Sequence, residues 1–148
     1  MTSIKILTSG DKSHGMGHIV RSWILAEELK RYSLLVGFDV LPATPGFDYI
    51  NSRITDDRTT LNDPLQYDVA IIDLENGPNR ELLTKVRNAY EKVIVIGGVG
   101  FPMLDQSAID ELVDLQIYQS IIVTDDYSAK NCIRGTEYII VNPEYVRM

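Results

Sequence analysis

The sequence predicts an α/β fold, a Rossmann-like and mostly parallel sheet with helices on both faces, and three observations lead there. Strand-like segments alternate with segments of helical period. Most of those strands are continuous apolar runs without strict alternation, as in strands covered on both sides. The first strand also passes directly into a glycine-rich turn that opens a helix.

Taken in order, Ile4–Thr8 reads as the first strand, and the glycine-rich turn follows it. From Gly17 to Tyr32, apolar residues at Ile19, Val20, Trp23, Ile24 and Leu29, broadened by Leu25 and Ala26, recur at a helical period. Lys30 and Arg31 suit the negative end of that helix. Ser33–Val40 is a second buried strand, in which Gly37 marks a bulge or close packing. Between Leu41 and Gln66, prolines, Gly46 and the Asp56-Asp57 pair break the chain into short pieces, with one short helix expected over Phe47–Arg53. Tyr67–Asp73 is a strand ending on a carboxylate, and Pro78 starts a helix over Asn79–Tyr90 with Leu82, Leu83 and Val86 inward. Lys92–Ile96 is a strand closed by Gly97-Gly98-Val99-Gly100. Gln106–Leu115 is expected to be helical, with Ile109, Leu112 and Val113 on one side. Ser120–Thr124 reads as a strand ending on Asp125-Asp126, and Tyr138–Val141 as a last apolar piece stopped by Pro143. No repeat or internal linker divides the chain, so residues 1–148 read as one domain.

The 148 residues are 45% apolar and 24% charged, a folded, water-soluble composition without a membrane-spanning run or a secretion signal. A cytoplasmic location is the expectation. The single cysteine, Cys132, has no partner within the chain, which agrees with a reducing compartment, and it reads as a small, partly buried residue near a strand. A net charge of −7 without clustered Lys and Arg argues against a broad nucleic-acid surface. It does not argue against one nucleotide, because a glycine loop and a helix start attract an anion locally.

The chemistry concentrates in Ser9–Arg21. Small residues at Gly10, Gly15 and Gly17, with Asp11 and Met16 among them, let backbone approach a ligand, and the free N–H groups of a helix start suit phosphate. That same field disfavours a positive charge on His18, so a neutral imidazole able to accept a proton is expected there. Arg21 shares a helix face with His18 and would hold either an anion or a carboxylate elsewhere in the fold. In a parallel sheet, ligands bind beyond the carboxyl ends of the strands. The candidates at that edge are Gly10 to His18, Asp73 with Glu75, Gly97 to Gly100, and Asp125 with Asp126.

Gly15-Met16-Gly17-His18-Ile19-Val20-Arg21, followed by Ala26-Glu27-Glu28-Leu29, resembles the N-terminal domain of nucleotide-sugar enzymes with the glycosyltransferase B fold. The nearest likeness is to the UDP-sugar hydrolase of pseudaminic acid biosynthesis and its spore-coat polysaccharide relatives. The strand ending at Asp73 resembles a second marker of that family. Gly135-Thr136-Glu137-Tyr138 with Pro143-Glu144-Tyr145 resembles its crossover into a second, nucleotide-binding domain, which this chain is expected to lack. Two positions depart from the family pattern: Asp73-Leu74-Glu75 stands where Asp-Ser-Tyr is usual, and Gly97-Gly98 where Asp-Asp is frequent.

The resemblance implies that His18 is the base activating water against the anomeric carbon of a UDP-linked acetamido sugar, with inversion and release of UDP. It implies no metal and no cofactor. Substrate contacts would come from Gly10, Asp11, Gly15, Met16, Gly17, Arg21, Asp73, Gly97 and Gly98, with either Asp73 or Asp11 orienting the imidazole or binding sugar hydroxyls. An alternative from another class is a non-catalytic sugar-nucleotide-binding or assembly domain completed by a partner chain or by a second copy. A phosphoacceptor receiver domain with Asp73 as acceptor is a third; it would want an acidic pair after the first strand, where Asp11 stands alone. A dinucleotide site would want glycine where Val20 stands. Zinc on His14 and His18 would want a third ligand and a helix unbroken by Gly15 and Gly17.

Overall fold

The computed structural model describes residues 2–13, 15–97, 106–118, 132–134 and 140. Among them the elements run β1 (Ser3–Thr8), α1 (Gly17–Arg31), β2 (Leu35–Asp39), α2 (Pro45–Asn51), β3 (Thr59–Leu61), β4 (Val69–Asp73), α3 (Arg80–Ala89), β5 (Lys92–Ile96), α4 (Gln106–Leu112), β6 (Leu115–Tyr118) and β7 (Cys132–Arg134). The strands form one sheet in the order β3-β2-β1-β4-β5-β6-β7, and every pairing is parallel. This is the Rossmann-like α/β architecture expected.

Both faces of the sheet are covered, which is why its strands carry apolar residues without alternation. One face packs Ile4, Ile6, Val36, Phe38 and Ile71 against Ile19 and Ala26 of α1 and Ile50 of α2. The other packs Ala70, Ile72, Val93 and Val95 against Leu83 and Val86 of α3 and Ile109 of α4. Trp23 of α1 stacks on Phe38 with ring centroids 5.9 Å apart. Thr44 caps α2 by accepting from the Phe47 N–H at 3.2 Å, with Pro45 in its first turn; Asn79 caps α3 by accepting from the Leu82 N–H at 2.8 Å.

Several elements differ from the sequence reading. The helix expected over Gln106–Leu115 stops at Leu112, and Leu115–Tyr118 is instead β6. Asp114 sets the break by accepting from the Val93 N–H (2.8 Å) and from Arg87, so the chain re-enters the sheet beside β5. β3 and β7 are three-residue strands too short to carry a period. The short helix begins at Pro45 rather than Phe47. The inward face of α1 is Ile19, Ser22, Ala26 and Lys30, so Val20 lies outward, and Lys30 is buried against the Trp23 ring with Glu27 and Asp56 as ion partners. Cys132 is half-buried in β7. The strand expected over Ser120–Thr124, Asp125-Asp126 and the crossover segment from Gly135 lie outside the described residues, apart from Ile140.

Gly37 answers to close packing rather than to a bulge. It pairs with Lys5 across β1 and β2, and a Cβ there would lie 2.5 Å from both Cζ and Oη of Tyr67. The far end of the Tyr67 ring thus occupies the space above Gly37, and the ring centroid is 4.6 Å from the Lys5 ammonium. Lys5, itself buried, donates to the Asp63 carboxylate at 3.2 Å, and Tyr67 donates to the same oxygen at 2.9 Å. Burial pushes the Asp63 carboxyl up, but donors from Thr60, the Leu65 backbone, Tyr67 and Lys5 outweigh it and lower it to about 2.

Two outcomes are expected. Gly37→Ala should destabilise the fold by about 1–3 kcal/mol through overpacking against the Tyr67 ring, read as a lower urea midpoint at constant slope. Because the Asp63 carboxyl is lowered in the folded chain, its contribution is present above the ordinary carboxylate value and is lost as pH falls through about 2. Acid unfolding of Asp63→Asn should therefore show a shallower loss of stability across that window than the wild type.

Candidate active site

The chain leaves the carboxyl end of β1 through Ser9 and Gly10. A Cβ on Gly10 would sit 2.5 Å from Cγ1 of Ile19, so this glycine lets the loop pass beneath α1. Its carbonyl accepts from the Gly46 N–H at 3.0 Å, which docks the start of α2 on the loop. Asp11 then closes a turn, its Oδ1 accepting from the Ser13 N–H (2.8 Å) and hydroxyl (2.7 Å). The Asp11 carbonyl accepts from the Gly15 N–H at 2.9 Å, and Gly15 adopts φ +86°, a left-handed conformation that suits glycine. α1 starts at Gly17 with Met16 as its cap; Met16 supplies no side-chain cap, and the first turn holds no acidic residue. Beside Gly15 and Gly17 the space a Cβ would occupy is open to 4 Å.

His18, Arg21 and Ser22 stand at i, i+3 and i+4 on α1 and meet the end of β4. There Asp73, paired in register with Thr8, is completely buried. His18 Nδ1 lies 2.7 Å from Asp73 Oδ1. Arg21 donates from Nε to Oδ2 at 2.9 Å and from Nη2 to Oδ1. The Ser22 hydroxyl lies 3.2 Å from Oδ2 and 3.1 Å from Thr8 Oγ1. Burial pushes the Asp73 carboxyl up, but the bonds from His18 and Arg21 and the Arg21 charge prevail, holding it below its ordinary value.

An ionised carboxylate only accepts, so the His18 Nδ1 facing it carries the proton. The 3.0 Å approach of Arg21 Nη2 to Nδ1 follows from two donors converging on one oxygen. In the neutral ring Nε2 is then the acceptor nitrogen, and the side chain is 22% exposed. The contact with the buried carboxylate fixes the neutral ring in its Nδ1–H tautomer.

Of the two carboxylates that the sequence left open, Asp73 orients the imidazole, while Asp11 is engaged in its own turn. Arg21 is paired with a carboxylate of the fold. Gly97, at φ +119°, ends β5 with both backbone polar groups taken up by β6: its N–H donates to the Ile117 carbonyl at 2.8 Å and its carbonyl accepts from Gln116 Nε2 at 2.8 Å. Gly98 and His14 lie outside the described residues. Among the described residues no group of three or more His, Cys, Asp or Glu could hold a metal ion. Ser22 and Thr8 are not singled out by the sequence; the signal for Ser22 is a hydroxyl one turn after His18, between Ile19 and Ala26 on the helix's inward face.

The two exposed glycines should separate by substitution. Gly15→Ala is expected to cost about 1–2 kcal/mol for the left-handed backbone. Gly17→Ala, inside a helix and facing open space, should stabilise by up to about 1 kcal/mol. Thermal unfolding of both variants checks the contrast.

No family model, curated protein or solved structure matches this chain.

Proposed function

We propose that this domain processes a nucleotide-linked sugar, with His18 as the general base of an inverting hydrolysis that releases UDP from a UDP-linked acetamido sugar. The single observation that carries the reading is the 2.7 Å contact between His18 Nδ1 and the buried Asp73 carboxylate, which commits Nε2 to accepting a proton. Water bound at Nε2 gives up its proton as its oxygen attacks the anomeric carbon, and the bond from that carbon to the phosphate oxygen breaks with its electron pair leaving on UDP. The uncapped start of α1, with Gly15 and Gly17 beside it, favours the charge that grows on the departing diphosphate.

The position of the site supports the same reading. β1 and β4 are adjacent, and the chain leaves them to opposite faces through α1 and α3. The carboxyl edge between such strands is where open α/β sheets bind ligands. The receiver reading fares worse, because Asp73 is buried under His18 and Arg21 and its oxygens are occupied.

UDP release from UDP-acetamido sugars tests the proposal. His18→Ala should lower kcat by roughly a hundredfold to ten-thousandfold, the usual contribution of a general base, with unchanged circular dichroism. Equal rates in wild type and variant would remove His18 from the chemistry.

A further inference from the structure

We infer that Arg21 and Ser22 are positioning residues that act on His18 through Asp73, and not ligands of the substrate; the inference rests on the role proposed for His18. A carboxylate offers about four acceptor positions, two on each oxygen. Here Oδ1 faces His18 Nδ1 and Arg21 Nη2, while Oδ2 faces Arg21 Nε and the Ser22 hydroxyl. A buried carboxylate filled in this way takes no sugar hydroxyl. It is also held in one plane, because the Arg21 fork engages both oxygens at once.

Ser22 has one hydroxyl hydrogen and two oxygen neighbours, Thr8 Oγ1 at 3.1 Å and Asp73 Oδ2 at 3.2 Å. The charged acceptor binds that hydrogen more strongly. Thr8 lies beside Ser22 at the end of β1 as its second acceptor, and the hydroxyl of Ser22 links α1 to the carboxylate. Ser22 is 1% exposed, so no solvent substitutes for it. With the carboxylate clamped by Arg21 and Ser22 of α1, the imidazole is left with one acceptor in one place, and therefore one tautomer.

The test uses the full chain in two arms. In UDP-release kinetics, Arg21→Lys keeps the charge and loses the fork; kcat should fall on the order of a hundredfold while KM and the Kd for UDP stay within about twofold. Ser22→Ala should lower kcat about tenfold with KM again unmoved. In nitrogen-15 NMR of the ligand-free protein, at a pH where the ring is neutral, wild-type His18 should show a protonated Nδ1 and a bare Nε2. Arg21→Lys should turn this into a mixture of tautomers. Weakened UDP binding with kcat retained would make Arg21 an anion ligand and overturn the inference, as would wild-type ring signals in both variants. A wild type that releases no UDP refutes the hydrolase reading alone, because the tautomer arm needs no substrate. Should Arg21→Lys fail to fold, Ser22→Ala carries both readouts, since it removes only one neutral donor.

Discussion

A full negative charge buried at the carboxyl edge of the sheet is the constraint from which the site follows. An ionised carboxylate removed from water without partners is prohibitively costly. Asp73 is completely buried, so its partners must come from the elements packed over it, and they come from three residues of α1. This demand sets where the helix starts and how it is rotated. With α1 beginning at Gly17, His18, Arg21 and Ser22 all face the end of β4, and Ile19 and Ala26 still reach the core. Ion pairing and apolar packing therefore select the same helix rotation.

The sheet order brings this about. β1 and β4 are neighbours in register from Ile4↔Val69 to Thr8↔Asp73, although 55 residues separate His18 from Asp73. Since α1 covers one face and α3 the other, the edge between the two strands has the start of α1 on one side only. Asp73 points to the α1 face, in step with Ile71, while Ile72 points to the α3 face. A shift of one residue in the β4 register would turn the carboxylate into the opposite core.

The glycines of the loop serve different ends. Gly10 and Gly46 give up a side chain so that the β1–α1 loop, α2 and Ile19 can meet; the Gly46 position would place a Cβ 2.8 Å from the Gly10 carbonyl. Gly15 and Gly97 supply left-handed backbone. Within the described β1–α1 loop, Gly15 and Gly17 have open space where a Cβ would stand, and Gly10 does not. This glycine-rich turn thus mixes packing, conformational and access roles, with access to α1's start at Gly15 and Gly17.

Local pattern by itself determined β1, α1, β4, α3 and β5, because each is a run long enough for burial on one or two faces to leave a period in the residues. It also placed His18 and Arg21 on one helix face, since i, i+3 spacing is a property of the helix. It did not reveal β3, β6 or β7, whose three or four residues are held by neighbouring strands, nor that Val20 faces outward and Lys30 inward. The choice of Asp73 over Asp11 as the partner of His18 was decided by tertiary structure alone. Both are acidic residues near strand ends, and nothing local separates them. What separates them is the parallel pairing of β1 with β4, a contact between distant segments that sets one carboxylate beneath α1, where only a charged and well-ordered set of donors could keep it ionised.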